Sequence, residues 1–184
     1  DSLTRFAMAA REVGLAVGEP PTVKGYTPSV FSLLPRLLER VGTTDGVGSI
    51  TGLYTILTES DDINDPIADA VRSIVDGHIV LSRKLASFNH YPAVDILNSL
   101  SRLHRDIADK RHLHAADKFR SMWSSYVEME DFINMGIYAS GKNKLVDEAI
   151  LKRDAMRSFL RQQVNDPAPL SDTIERLAMI AGDQ

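Results

Sequence analysis

Apolar positions recur at steps of three and four from the first residues of the chain. Leu3, Phe6, Ala7, Ala10, Val13 and Val17 share one face of a helix predicted over residues 2–18, and Gly18 supplies a stop. Glu19-Pro20-Pro21 and Gly25-Tyr26-Thr27-Pro28 are loop punctuation. A second helical face runs through Val30, Leu33, Leu34, Leu37, Leu38 and Val41. Pro35 inside it predicts a kink or two short helices. Residues 42–48 read as a flexible turn. Residues 49–58, rich in β-branched and aromatic side chains, predict a buried strand. A solvated acidic loop over 59–66 leads into a short helix over 67–75, apolar at Ile67, Val71, Ile74 and Val75.

A second β-type run follows at His78-Ile79-Val80-Leu81-Ser82, then a polar helical segment, the corner Tyr91-Pro92-Ala93, and a loop ending in Ser99-Leu100-Ser101-Arg102. Strands alternating with helices over residues 1–105 predict an α/β region with a mostly parallel sheet. Beyond Arg105 the strand signal stops. Residues 112–135 place Ala116, Phe119, Trp123, Tyr126, Val127 and Ile133 on helical spacing. Residues 144–164 do so with Leu145, Ala149, Met156, Phe159 and Leu160, and residues 170–180 with Leu170, Ile174 and Leu177. Asp172 and Glu175 read as a capping pair. The chain therefore reads as α/β then all-α, with a small helical bundle over 106–184.

Composition narrows the function. The 184 residues suffice for one domain or a domain with an appendage. A net charge of −4 offers no general field for nucleic acid. The absence of cysteine excludes disulfide scaffolds, thiolate metal sites and thiol catalysis. No apolar run approaches the roughly 20 residues of a membrane span. The first residue is Asp1, followed at once by a helical pattern. A strand ahead of Asp1 is therefore expected, which makes this the C-terminal part of a longer protein.

Several residues carry candidate chemistry. Arg102 lies eleven positions past Tyr91. Taken alone, Tyr91 before Pro92 is a turn with a buried aromatic, Arg102 a surface ion pair, and Asp1 with Arg5 a solvated terminus. Gly136-Ile137-Tyr138-Ala139-Ser140-Gly141-Lys142-Asn143 satisfies G-x-x-x-x-G-K. It ends in Asn where a phosphate loop needs Ser or Thr, and a helix rather than a strand precedes it, so it reads as an interhelical loop. The loop Asp61-Asp62-Ile63-Asn64-Asp65 lacks the glycine and distal Glu of a calcium loop. His112 and His114, two apart, point to different sides of a helix rather than to one metal.

The order Asp1-Ser2-Leu3-Thr4-Arg5, Gly18-Glu19-Pro20-Pro21, Gly25-Tyr26-Thr27-Pro28-Ser29, Tyr91-Pro92 and Ser99-Leu100-Ser101-Arg102 resembles the hexameric RecA-like rotary-type ATPases. These comprise the catalytic subunits of ATP synthases and the export ATPases of type III secretion. The resemblance implies that Tyr91 stacks on adenine, with the helical domain near Val164 as the other wall. It implies that Arg102 reaches a neighbouring subunit's γ-phosphate. Asp1 would end the Walker B strand and hold Mg²⁺ of Mg²⁺-ATP, with Arg5 close to the reacting phosphate.

Within that superfamily, Asp76-Gly77-His78-Ile79-Val80-Leu81-Ser82-Arg83 and Asn89-His90-Tyr91-Pro92-Ala93-Val94-Asp95 look closer to export ATPases. Glu130-Asp131-Phe132-Ile133-Asn134-Met135-Gly136-Ile137-Tyr138 looks like the flagellar branch. The family's properties follow as expectations. They are a cytoplasmic homohexamer docked peripherally at the inner-membrane export gate, and ATP hydrolysis that releases chaperones and delivers export substrates. Expected partners are a stator-like regulator, a central coiled-coil stalk and chaperone–substrate complexes, with no nucleic acid. The alternatives are an injectisome export ATPase or a non-catalytic docking module. Without its phosphate loop, residues 1–184 alone are expected to be inactive.

Overall fold

A computed structural model describes residues 2–58, 62 and 64–182. It comprises two compact units, Asp1–Asp76 and Gly77–Gln184.

In the first unit, α1 (Leu3–Ala16) begins at Ser2, whose side chain accepts from the Arg5 N–H. Leu3 and Ala7 are buried with Val30 and Leu34 of α2 (Pro28–Leu38). Phe6, Val13 and Val17 are 40%, 65% and 73% exposed. Only half of the expected apolar face is covered, because the cover within this unit comes from one side. At Gly14 the two helices come so close that a Cβ there would lie 3.0 Å from Thr27 Cβ and closer still to its hydroxyl oxygen.

Pro35 does not split α2. The helix continues as one element, and the Pro35 carbonyl accepts from the Glu39 N–H at 2.9 Å. Its fixed φ is already helical.

The expected turn at 42–48 is a small antiparallel pair, β1 (Gly42–Thr43) with β2 (Ser49–Ile50). The predicted strand continues beyond Ile50 only in its pattern. Residues 51–58 alternate strictly between exposed and half-buried, with Tyr54 and Ile56 packed inward, yet they join no ladder. Their backbone groups turn to the start of α1 instead. The Leu3 N–H donates to Thr55 O at 2.9 Å, and the Thr4 hydroxyl donates to Leu57 O and accepts from Leu57 N–H.

Asp65 opens α3 (Pro66–Ile74), accepting from the Ile67 and Ala68 N–H groups. It is buried, so this end of the acidic loop is a helix cap rather than a solvated carboxylate. Lys24 pairs with Asp62 at 2.5 Å and reaches Asp65 at 3.7 Å. Asp61 and Ile63 lie outside the described residues.

The second unit begins with β3 (Gly77–Leu81), α4 (Arg83–Ser87) and β4 (Val94–Ser101). β4 replaces the expected loop ahead of Arg102, and it pairs with β3 antiparallel. Both sheets among the described residues are antiparallel pairs, so the mostly parallel sheet is not formed there. A parallel pair needs a crossover of a dozen or more residues, usually carrying a full helix. The five-residue α4 instead turns the chain straight back.

A short helix α5 (His104–Ile107), not predicted, leads to α6 (Lys110–Asn134), α7 (Lys144–Phe159) and α8 (Leu170–Ala181). Ala115, Phe119, Met122 and Tyr126 of α6 form the core with Ala149 and Met156 of α7 and Leu177, Ala178 and Ala181 of α8. The predicted Val127 is exposed. Asp172 and Glu175 do not cap α8. Glu175 instead forms a two-pronged pair with Arg111, at 2.7 and 2.9 Å.

Candidate functional site

The β3–β4 hairpin carries two of the residues singled out by sequence. Tyr91 stands just before β4 and Arg102 just after it, so they lie at opposite ends of the strand. Tyr91 precedes Pro92 through a cis peptide and is 55% exposed, not buried as a plain turn aromatic would be. The Ser82 hydroxyl caps α4, and the Ser82 N–H donates to Ala93 O at 2.9 Å, closing the corner. Asn89 ends α4 with φ 54, a left-handed position that asparagine tolerates.

Two neighbours of Tyr91 escaped sequence reasoning. The Gln162 N–H donates to Tyr91 O at 3.0 Å. The Gln162 side-chain amide donates to Asp166 O at 2.5 Å, spanning a turn closed by Asp166 N–H to Gln163 O. Val164 sits within that turn and is almost wholly exposed. The tyrosine corner and the segment after α7 are thus tied by a main-chain hydrogen bond. Beside that segment lies an open cleft of about 480 Å³, lined by Arg157, Arg161, Gln162 and Asp166 among others.

His90 is the second neighbour. Its ring is buried, and Nε2 has no hydrogen-bond partner among the described residues. Burial pushes its pKa down, the charges of Arg161 and Arg157 push the same way, and a hydrogen bond to the Leu160 backbone opposes them. Only its place beside Tyr91 in the sequence hinted at a role.

Arg157 is fixed from α6. It donates to Glu130 at 2.8 Å and to the Tyr126 hydroxyl at 3.2 Å, and its guanidinium lies 5.5 Å from the Tyr126 ring centroid. Glu130, which the sequence offered only within the segment that looks like the flagellar branch, is therefore a structural anchor.

Arg5 belongs to the other unit, exposed in the first turn of α1. Asp1 lies outside the described residues. Among those described, no three His, Asp or Glu side chains gather as metal ligands.

In the glycine loop Gly136 and Gly141 take φ 70 and 91. Asp147 accepts there from the Tyr138 hydroxyl at 2.9 Å and the Gly141 N–H at 2.9 Å. Asn143 caps α7. A carboxylate thus already takes the Gly141 N–H, one of the donors a phosphate would use.

An exposed aromatic at a strand end, an arginine at the opposite end and a helical domain tied to the aromatic describe part of a RecA-like ATPase domain followed by a helical domain. The chain belongs to the ATP synthase alpha/beta family, whose nucleotide-binding domain model matches residues 1–101. The model of the T3SS EscN ATPase C-terminal domain matches residues 108–179.

The flagellum-specific ATP synthase of Bacillus subtilis (strain 168) is 52% identical over 184 residues, covering 100% of this chain and 42% of that protein. The structure of the assembled ATPase EscN from the enteropathogenic E. coli type III secretion system superimposes with a TM-score of 0.95 at 48% identity, over 98% of this chain and 44% of that one. EscN in complex with its central stalk EscO gives a TM-score of 0.88 at 45% identity, over 98% and 43%. The chain spans about two fifths of the length of the curated relatives it matches.

Proposed function

We propose that this chain is the C-terminal part of an ATPase that energises type III protein export for flagellum assembly, with the boundary between its ATPase and helical domains near residue 105. The observation that carries the reading is the hairpin that presents Tyr91 and Arg102 at opposite ends of β4. A ring open to solvent at a strand end suits a purine face. An arginine at the other end suits a phosphoryl group held by a neighbouring copy, which makes the working form an oligomer, and the family resemblance makes it a homohexamer.

The residues fit the base end of a nucleotide. Tyr91 offers its ring, and the Gln162 backbone holds the turn bearing Val164 against the tyrosine corner. Arg102 would place positive charge where negative charge develops on the transferring phosphoryl group, and such an arginine is worth roughly 10³–10⁵ in rate. Arg5 of the copy that holds the nucleotide would bring further positive charge near that phosphoryl group. Asp1 is the residue that would hold Mg²⁺, whose contribution is to neutralise the β- and γ-phosphates.

No helix among the described residues is long and apolar enough to cross a membrane. Peripheral association at the inner-membrane export gate from the cytoplasmic side is what the family resemblance implies. The complex of EscN with EscO supports a central stalk partner here; a stator-like regulator and chaperone–substrate complexes complete the expected set. The match to EscN favours an injectisome export ATPase as the second reading.

The test uses the full-length protein. Arg102→Ala is expected to remove at least 10³-fold of hydrolysis while nucleotide affinity holds. Equal losses of affinity and of hydrolysis would overturn the assignment. Residues 1–184 alone are expected to show no turnover.

A further inference from the structure

We propose that Arg120 of α6 is a positioning residue for Arg102, setting the loop that carries it; this rests on the reading of Arg102 as an arginine acting on a neighbour's phosphate. The ladder between β3 and β4 is uneven. Val80 stands opposite Asp95 and His78 opposite Leu100, so Ile79 alone faces the four residues 96–99. That bulge lies immediately before the segment ending in Arg102, so its shape decides where the arginine emerges.

The bulge is held from two sides by opposite charges. Asp95 takes the N–H groups: its carboxylate accepts from Leu97 N at 3.1 Å, Asn98 N at 3.2 Å and the Asn98 side-chain amide at 2.8 Å. Arg120 takes the carbonyls: it donates to Ile96 O at 2.5 Å, Leu97 O at 3.3 Å and Ser99 O at 3.4 Å. Ser99 locks the exit, its hydroxyl donating to Asp95 O at 2.6 Å and accepting from Val80 N–H at 2.9 Å. A guanidinium suits this task because its fixed, planar donors reach several acceptors at once. A lysine ammonium is a single point of charge. Arg120 is exposed, and Leu100 and Ser101 stand between its last partner, Ser99, and Arg102, so its effect is on geometry.

The experiment compares Arg120→Met, Arg120→Lys, Arg102→Ala and the double variant Arg120→Met with Arg102→Ala in the full-length hexamer. Arg120→Met is expected to lower kcat about 10- to 100-fold, the scale of a small misplacement of a catalytic group. Nucleotide KM and hexamer assembly should hold, and Arg120→Lys should fall between. In the Arg102→Ala background the same change should cost nothing further, because the arginine being positioned is gone. Additive losses, or a rise in KM with kcat intact, would overturn the proposal. If Arg120→Met fails to assemble, Arg120→Lys decides: wild-type kcat in an assembled hexamer would reject the inference. If Arg102→Ala itself keeps full activity, the reading beneath the proposal fails instead.

Discussion

The Gln162 backbone N–H donates to the carbonyl of Tyr91 at 3.0 Å, joining two segments seventy-one positions apart. The link fixes the corner through main-chain atoms and leaves the tyrosine ring free to meet a ligand. Tyr91→Ala in the full-length protein is accordingly expected to weaken nucleotide binding by about 1–3 kcal/mol, the worth of an aromatic stacked on a base. Tyr91→Phe should retain most of the affinity. Equilibrium nucleotide titration distinguishes the two; equal losses would mean that the hydroxyl, not the ring, is what binds.

His90 makes stability depend on pH in a defined direction. Its pKa is lowered from the ordinary 6.5, so the folded state resists a proton that the unfolded chain accepts. The stability it contributes is complete above pH 6.5 and is lost as pH falls through that value toward the lower folded pKa. Chemical unfolding midpoints should therefore drop between pH 7 and 5, and His90→Phe should flatten the curve over that window. The carboxylates held low by ion pairs, Glu148 by Lys152 and Glu175 by Arg111, act only in more acid solution. An unchanged slope in His90→Phe would assign the effect elsewhere.

Gly14 is required for contact rather than for conformation, since it lies inside α1 against the buried Thr27. Gly14→Ala gains helix propensity but drives a methyl into the Thr27 side chain. The net cost is expected to be about 1–3 kcal/mol, read from thermal or denaturant unfolding. Gly14→Ala with Thr27→Ala, which removes both the hydroxyl and the methyl that the new Cβ would meet, should recover part of it.

The glycine loop gives a negative prediction. Lys142→Ala should leave nucleotide binding and hydrolysis by the full-length protein unchanged. Asp147→Ala should loosen the α6–α7 connection, measured as faster amide exchange at Gly141, again without affecting the nucleotide. A loss of binding in Lys142→Ala would reinstate the loop as a phosphate site.

How much of this was legible in the sequence follows from where each signal lives. The helices α1, α2, α3, α6, α7 and α8 were readable because three-four spacing is local. The coverage of their faces was not: Phe6, Val13 and Val127 have the right spacing and stay exposed. The strand expected at 49–58 shows the same division: Ser49 and Ile50 pair with β1, while residues 51–58 keep the alternation without joining a ladder. Antiparallel pairing of β3 with β4 was missed because strand direction depends on how the intervening chain turns, and a five-residue helix gives little periodic signal. Tyr91 and Arg102 could be singled out through the family resemblance, of which their spacing is part. Gln162, Arg120 and Glu130 could not, because their partners lie far along the chain and an isolated polar residue carries no pattern.

The uneven ladder between β3 and β4 bears on which length changes the chain can absorb. Side chains alternate faces with a period of two along a strand. The excursion 96–99 interrupts that alternation, since Asp95 and Leu100 are five positions apart yet pair with Val80 and His78, two residues that share a face of β3. A gain or loss of one residue there should therefore change the size of the excursion while pairing with β3 keeps Leu100 and Ser101, and the exit toward Arg102, on their present face.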